Sequence, residues 1–271
     1  MPDGVDFPKD LMRVVAAIEY DGSNYCGWQR QKHSPSVQAE VEKAFSVVAN
    51  ETITVACAGR TDTGVHGTNQ VIHFDTRINR SSRQWLLGVN ANLPKNIRIH
   101  WVEEREANFH ARFSATARTY RYLISNQFYR SALHHHLMTW ERENLDELLM
   151  DKAAQYLLGE HDFTSFRAAG CQSLSPNRDV HNARVWREKK LVILEITANS
   201  FLHHMVRNVV GSLISVGKGE NPPEWIDSLL IKHDRSIASP TAPSNGLYLC
   251  GVDYPLKYKI PKFNSVFQTV G

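Results

Sequence analysis

The chain has little cysteine, no long apolar run and no strong excess of charge of either sign. Its four cysteines, Cys26, Cys57, Cys171 and Cys250, are scattered through 271 residues, and none forms a CxxC pair. That spacing signals neither a zinc ribbon nor a redox motif, and a disulfide framework does not suit a chain of this length without an export signal. Buried or idle thiols are expected. No apolar stretch approaches the ~18 residues of a membrane helix. The opening MPDGVDFPKDLMRVVAAIEY carries acids and prolines where a signal peptide carries basic and then apolar residues, so a cytoplasmic location is expected. Net charge is +3 and the isoelectric point is near 8.6. A strongly basic nucleic-acid footprint usually exceeds pI 9, so this bias permits a polyanionic partner without demanding one. What is present is ordinary. Hydrophobic residues at 42% and charged residues at 22% exclude a disordered chain. The length fits one large domain or two small ones, either able to bury a core without staples.

Strand-like and helix-like segments alternate along the chain. MRVVAAIEYDG reads as a strand ending in an Asp-Gly turn. In SPSVQAEVEKAFSVVAN the apolar residues Val37, Val41, Phe45 and Val48 recur at helical steps, Ser36 caps the start and Asn50 ends it. ETITVACAG reads as a β-branched strand, NQVIHFDT as an alternating strand, SSRQWLLGVNANLP as a short helix and NIRIHWVEE as a strand. The second half repeats this style. TARTYRYLISN is a strand, LDELLMDKAAQYLLGE a helix with Gly159 as its C-cap, and HNARVWREKKLVILEITANS a hairpin. SFLHHMVRNVVGSLISVGKG reads as a long helix, PPEWIDSLL as a helix with prolines in its first turn, and GLYLCGVDYP as a final strand. Each half approximates strand–helix–strand–strand–helix–strand. This is the ferredoxin-like split βαβ plan of the α+β class, with a mainly antiparallel sheet. The boundary falls near NFHARFSATAR, dividing residues 1–110 from 111–271. The last stretch, KYKIPKFNSVFQTVG, has no period and reads as a loose tail.

The segment richest in chemistry is AGRTDTGVHGTNQ, residues 58–70, where three glycines surround Arg60, Asp62 and His66. Both flanks read as strands, so the loop projects one carboxylate from a sheet edge. Carboxylates are ionised near neutral pH, and a neighbouring arginine holds and directs them. Asp62 therefore suits a nucleophile or base. Taken alone, such a loop is more often a plain turn. A phosphate-binding P-loop does not fit, because the GxxxxGK[ST] lysine is missing and a strand follows. A metal set of Asp62, His66, His73 and Asp75 matches no known ligand spacing, and no metal or cofactor is expected.

Other polar features have two readings each. His134–His136 reads as a solvated loop before a metal tract. His203 and Arg207, four apart, share a helix face that is either merely polar or aimed at a carboxylate or phosphate. Tyr120 and Tyr122 point to one side of their strand, for core packing or for base stacking.

Several segments together resemble the TruA-type tRNA pseudouridine synthases. They are YDGSNYCGWQRQ (20–31), SVQAEVEKAF (36–45), AGRTDTGVHGTNQVIHFDT (58–76), NFHARFSATARTYRYLI (108–124), GEHDFTSFRA (159–168), ANSFLHHMVRNVVGSLISVGKG (198–219) and SPTAPSNGLYLCGVDYP (239–255), in the expected order across residues 11–255. Thr63 and Gly67 stand where alanines are usual, and Ser239 where glycine is common; all are small changes beside the polar residues. The resemblance implies two ferredoxin-like halves whose sheets join across a central cleft, in a homodimer. It implies isomerisation of uridines 38, 39 and 40 in the tRNA anticodon arm, with RNA and not DNA as the nucleic-acid partner. Asp62 would be the catalytic aspartate and Arg207 its ionic partner. Tyr120 would stack on the target base, Arg60 would help admit the flipped nucleotide, and His66 would lie with the substrate-binding residues.

Overall fold

The computed structural model describes residues 10–262. Of the stretch 257–271 expected as a loose tail, residues 263–271 fall outside them; within them Leu256–Tyr258 form a 3-10 turn and Tyr258 is buried, so the tail does not begin at Lys257. The architecture is mixed α+β: a large, mostly antiparallel sheet and five α-helices among the described residues. By its contacts the chain divides into two units. One runs up to Thr116 and takes in the return of the chain from Cys250; the other is Ala117–Leu249.

The first unit holds β1 (Met12–Tyr20), α1 (Val37–Ala49), β2 (Ala56–Cys57), β3 (His66–Thr76), α2 (Ser82–Asn92) and β4 (Ile97–Arg105). Its strand order is β4-β1-β3, with β2 on β3, and all pairs are antiparallel. Residues Arg13–Ile18 of β1 are all buried, so both faces of this central strand are covered. On one face Val14, Ala16 and Ile18 meet Val41, Phe45, Trp85 and Val89 from the two helices. The helices start and stop where the sequence places their caps. Ser36 accepts from the Ala39 N–H, Asn50 is left-handed (φ 54°), and Ser81 with Gln84 forms a capping box.

The expected strand over ETITVACAG shortens to the two residues of β2. Ile53 and Val55 are buried as the pattern demands. Their backbone N–H groups go instead to α1 side chains, Ile53 to Ser46 Oγ (2.9 Å) and Val55 to Glu42 Oε1 (3.1 Å). The helix satisfies what a ladder would have satisfied.

The second unit holds β5 (Ala117–Asn126), β6 (Thr139–Glu141), α3 (Glu147–Gln155), β7 (Gly159–Asp162), β8 (Asn177–Glu188), β9 (Leu191–Ala198), α4 (Met205–Gly217) and α5 (Trp225–Lys232). β10 (Leu247–Asp253) begins here. The strand order is β10-β5-β9-β8-β7, and β6 pairs in parallel with β5. α3 packs on β8 and against α4. Three helix boundaries differ from the sequence reading: α5 starts at Trp225, so Pro222 and Pro223 precede it and do not occupy its first turn. α3 tightens into i→i−3 bonds at Tyr156, Leu157 and Leu158, so Gly159 (φ +90°) opens β7 and is not the C-cap. α4 begins only at Met205, because His204 is left-handed (φ 60°). His203 therefore precedes the helix and shares no helical face with Arg207. No helix of the described residues is long and apolar enough to cross a membrane.

Candidate active site

The first unit builds its glycine-rich loop directly on the segment that follows β1. The Trp28 N–H donates to the Thr61 carbonyl (2.9 Å), the Gly64 N–H donates to the Tyr25 carbonyl (3.3 Å), and the Tyr20 hydroxyl shares a hydrogen bond with Thr61 Oγ1 (2.8 Å). Two glycines permit this approach. A Cβ on Gly22 would lie 1.9 Å from the Val65 carbonyl oxygen, and one on Gly27 (φ +92°) 2.7 Å from that of Thr61. On the other flank Ala58 donates to the Val71 carbonyl (2.8 Å) and Gly59 to Gln70 Oε1 (3.2 Å). The Val65 N–H closes a turn onto the Asp62 carbonyl (3.1 Å). Just beyond, the register of β3 against β1 shifts between Gln70 and Gly67, a bulge of the kind that re-aims side chains beside functional sites.

Asp62 stands half-buried on this braced turn, and Arg60 is exposed two residues before it. His66 is 1% exposed. The Gly22 N–H meets its Nδ1 at 3.0 Å, and Asp21 Oδ1 lies 3.1 Å from the same nitrogen. His66 thus ties the loop to Gly22 from beneath. The other members of the metal set weighed from sequence are also engaged. His73 Nδ1 accepts from the Ala111 N–H (3.1 Å), and Asp75 accepts two bonds from Arg13, each 2.7 Å. A carboxylate on a turn held from both sides can attack, or take a proton, with little reorganisation.

In the second unit Arg207 lies in the first turn of α4. A cation there opposes the helix dipole, and the turn has neither an acidic residue nor a side-chain cap. Guanidinium and helix N-terminus both favour an anion at this spot. Its direction is set: Nε donates to the Ala242 carbonyl (2.8 Å), and the Ala242 N–H returns a bond to the Arg207 carbonyl (3.1 Å). The next residue, Asn208, is fully buried. Its amide donates to the Phe166 carbonyl (2.7 Å), and its Oδ1 accepts from Thr241 Oγ1 (2.7 Å) and from Arg235 (3.2 Å). One turn further, a Cβ on Gly211 would lie 2.0 Å from the Pro240 carbonyl oxygen. The FTSFRA, MVRNVVG and SPTAP stretches are therefore one packed object.

Tyr120 on β5 is 9% exposed, with Phe201 edge-on at 5.0 Å. Tyr122 points the same way but belongs to the core. It is fully buried, its hydroxyl donates to the Pro243 carbonyl (2.7 Å), and burial pushes its phenol well up. His134–His136 lie in turns outside any strand or helix.

Gly22, Gly27, Asn208 and Gly211 escape a reading that looks only for reactive groups. The Asp-Gly of β1 and the asparagine next to Arg207 are the signals that could have exposed them.

A family model described as tRNA pseudouridine synthase matches residues 16–114 and 153–255. The chain is 57% identical to the tRNA pseudouridine synthase A of Shewanella denitrificans and 55% identical to that of Aliivibrio fischeri. Each match spans 251 residues, 93% of this chain and 96% of the relative. That of Vibrio parahaemolyticus is 54% identical over 250 residues, 92% of this chain and 95% of the relative. With a family match over most of its length and relatives above half identity, the chain belongs to the tRNA pseudouridine synthases, isomerases that act on uridines of tRNA.

Proposed function

We propose that this chain converts uridines 38, 39 and 40 of the tRNA anticodon arm to pseudouridine, with Asp62 as the catalytic carboxylate and Arg207 as its ionic partner. The observation that carries this reading is the bracing of Asp62: one carboxylate on a turn pinned by backbone bonds from both flanks. Arg207, a guanidinium in the first turn of α4 oriented by its Nε bond to the Ala242 carbonyl, supports it as a cation held in a fixed direction. The reaction breaks the uracil N1–C1′ bond, turns the base and joins C5 to C1′; atoms and electrons balance without a redox step. Asp62 starts it either by attack at C1′ or by taking the C2′ proton to give a glycal. Tyr120 stacks on the uracil once it leaves the helix, offsetting part of an unstacking cost of a few kcal/mol. The proton lost from C5 passes by way of Tyr120. Arg60 guides the nucleotide in, and His66, expected among the substrate contacts, contributes by holding the loop.

The same reading takes the chain as two ferredoxin-like halves, 1–110 and 111–271, in a cytoplasmic homodimer. The shared strand order supports the halves. In the first unit β4-β1-β3-β2 follows the chain as fourth, first, third, second, and β10-β5-β9-β8 repeats this order. Incubating the purified protein with unmodified tRNA and mapping pseudouridine by sequencing tests the function. Product confined to positions 38–40 is expected; product elsewhere in the tRNA overturns the site assignment.

A further inference from the structure

The segment between β4 and β5 is held with more care than a connector needs. Arg13, 6% exposed, donates to the Ala107 and Phe109 carbonyls at 2.5 and 2.6 Å. Phe109 is fully buried against Tyr254 (5.0 Å) and Tyr258 (5.2 Å). The Ala111 N–H is bound by His73, and the Arg112 and Phe113 N–H groups both donate to His110 Nδ1, at 3.1 and 3.2 Å. The His110 N–H is taken by Ser114 Oγ (2.9 Å). All this polar anchoring fixes a tip that faces solvent. Phe113 is 71% exposed, its ring lies 4.3 Å from that of His110 at 32°, and the Arg112 guanidinium sits 5.6 Å from the Phe113 ring. A single exposed phenylalanine needs no explanation. One whose segment is anchored by a buried arginine and His73, and whose own N–H and ring both rest on His110, does.

The tip stands beside the loop that carries Asp62. His73, which binds Ala111, pairs across the ladder with Ala56, and the Asp62 loop begins two residues later. Arg60 and Arg112 both lie near enough to the half-buried Cys57 thiol to lower it against the desolvation that raises it to about 11, which puts both cations in the neighbourhood of β2. From Ala107 to Ser114 the segment has no acidic residue.

We propose that Phe113 and Arg112, with Arg60 beside them, form a second RNA subsite that stacks on one unpaired nucleobase of the bound tRNA and holds its phosphate. Any base offers a π-face to such a ring, and guanidinium groups grip phosphate in two-point fashion, so the subsite is tolerant of sequence. It does not depend on which carboxylate performs the chemistry, and its test reads binding apart from turnover.

Steady-state pseudouridine formation on a full-length tRNA transcript, with KM and kcat separated, is compared for Phe113→Leu, Phe113→Trp and Arg112→Gln. Phe113→Leu keeps the apolar bulk and removes the stacking face, so KM rises roughly tenfold while kcat holds. Phe113→Trp restores the KM. Arg112→Gln raises KM and lowers the log–log salt slope of tRNA binding by about one. Melting midpoints stay at the wild-type value for all three. Unchanged KM and salt slope in Phe113→Leu and Arg112→Gln overturn the proposal, as does a loss in Phe113→Trp equal to that in Phe113→Leu.

Discussion

The loop that carries Asp62 and the helix turn that carries Arg207 are fixed by opposite means. The loop is held chiefly by backbone: Trp28 pairs with Thr61, Gly64 with Tyr25 and Ala58 with Val71, Gly22 and Gly27 clear the space for them, and side chains of Tyr20, Gln70 and His66 add to the hold. The helix start is held by side chains: Asn208 binds Phe166, Thr241 and Arg235, while Arg207 binds Ala242. Backbone bracing resists sequence change except at its glycines. Side-chain bracing concentrates the stability in one buried amide. The first arrangement suits a group that must not move, the second a group whose placement relies on three separate stretches of chain meeting.

That contrast predicts unequal responses to substitution. The largest loss of stability is expected for Asn208→Leu, which leaves the buried Phe166 carbonyl unpaired and removes the acceptor shared by the half-buried Arg235 and Thr241. One buried orphan at ~1–3 kcal/mol and the loss of two part-exposed bonds give roughly 2–4 kcal/mol in denaturant unfolding. Next comes Gly211→Ala. Glycine to alanine inside an ordinary helix stabilises by ~1 kcal/mol. Here the methyl meets the Pro240 carbonyl and the sign reverses, to a loss of about 1–3 kcal/mol. Gly22→Ala in the loop's support is expected to reduce the pseudouridine rate by more than tenfold, because its methyl would meet the Val65 carbonyl oxygen at 1.9 Å and push the Asp62 turn off its bracing. Equal damage to folding by all three would erase the contrast.

A more gradual effect is a dependence on pH. Burial, reinforced by the charges of His110 and Arg13, holds His73 down at about 3, well below the usual histidine range. The folded state therefore disfavours its proton. Its stabilising contribution is complete above about pH 6.5 and is lost as pH falls from there toward 3, by on the order of 1 kcal/mol per pH unit at most. Unfolding measured at pH 7.5, 5.5 and 4.5 shows this slope, and His73→Gln, which keeps an acceptor for Ala111, flattens it.

The periodic signals were legible from the sequence. α1 and its caps, the β8–β9 hairpin and the glycine-rich loop around Asp62 all stand where the pattern put them. The strand expected at residues 51–59 shrank because β-branched and apolar spacing reports burial, whereas a strand also needs a ladder, and Ser46 and Glu42 took the N–H groups first. The start of α4 moved because the left-handed turn at His204 leaves no trace in hydrophobic spacing. Gly22 reads only as part of an Asp-Gly turn and Gly27 carries no signal of its own, since the role of both is to lack an atom facing the segment around residues 61–65. Asn208 carries no sequence signal beyond its place beside Arg207, because its role comes from Phe166 and Thr241 packed around it.

The central claim is that the braced carboxylate does the chemistry and not the folding or the binding. Asp62→Asn tests it most directly, read by unfolding, by tRNA binding and by pseudouridine formation on the same preparation. The expected result is a wild-type melting midpoint, tRNA affinity within about threefold of the parent, and a rate lowered by at least ~10³-fold. Pseudouridine formed at a rate close to wild type by that variant would contradict the account.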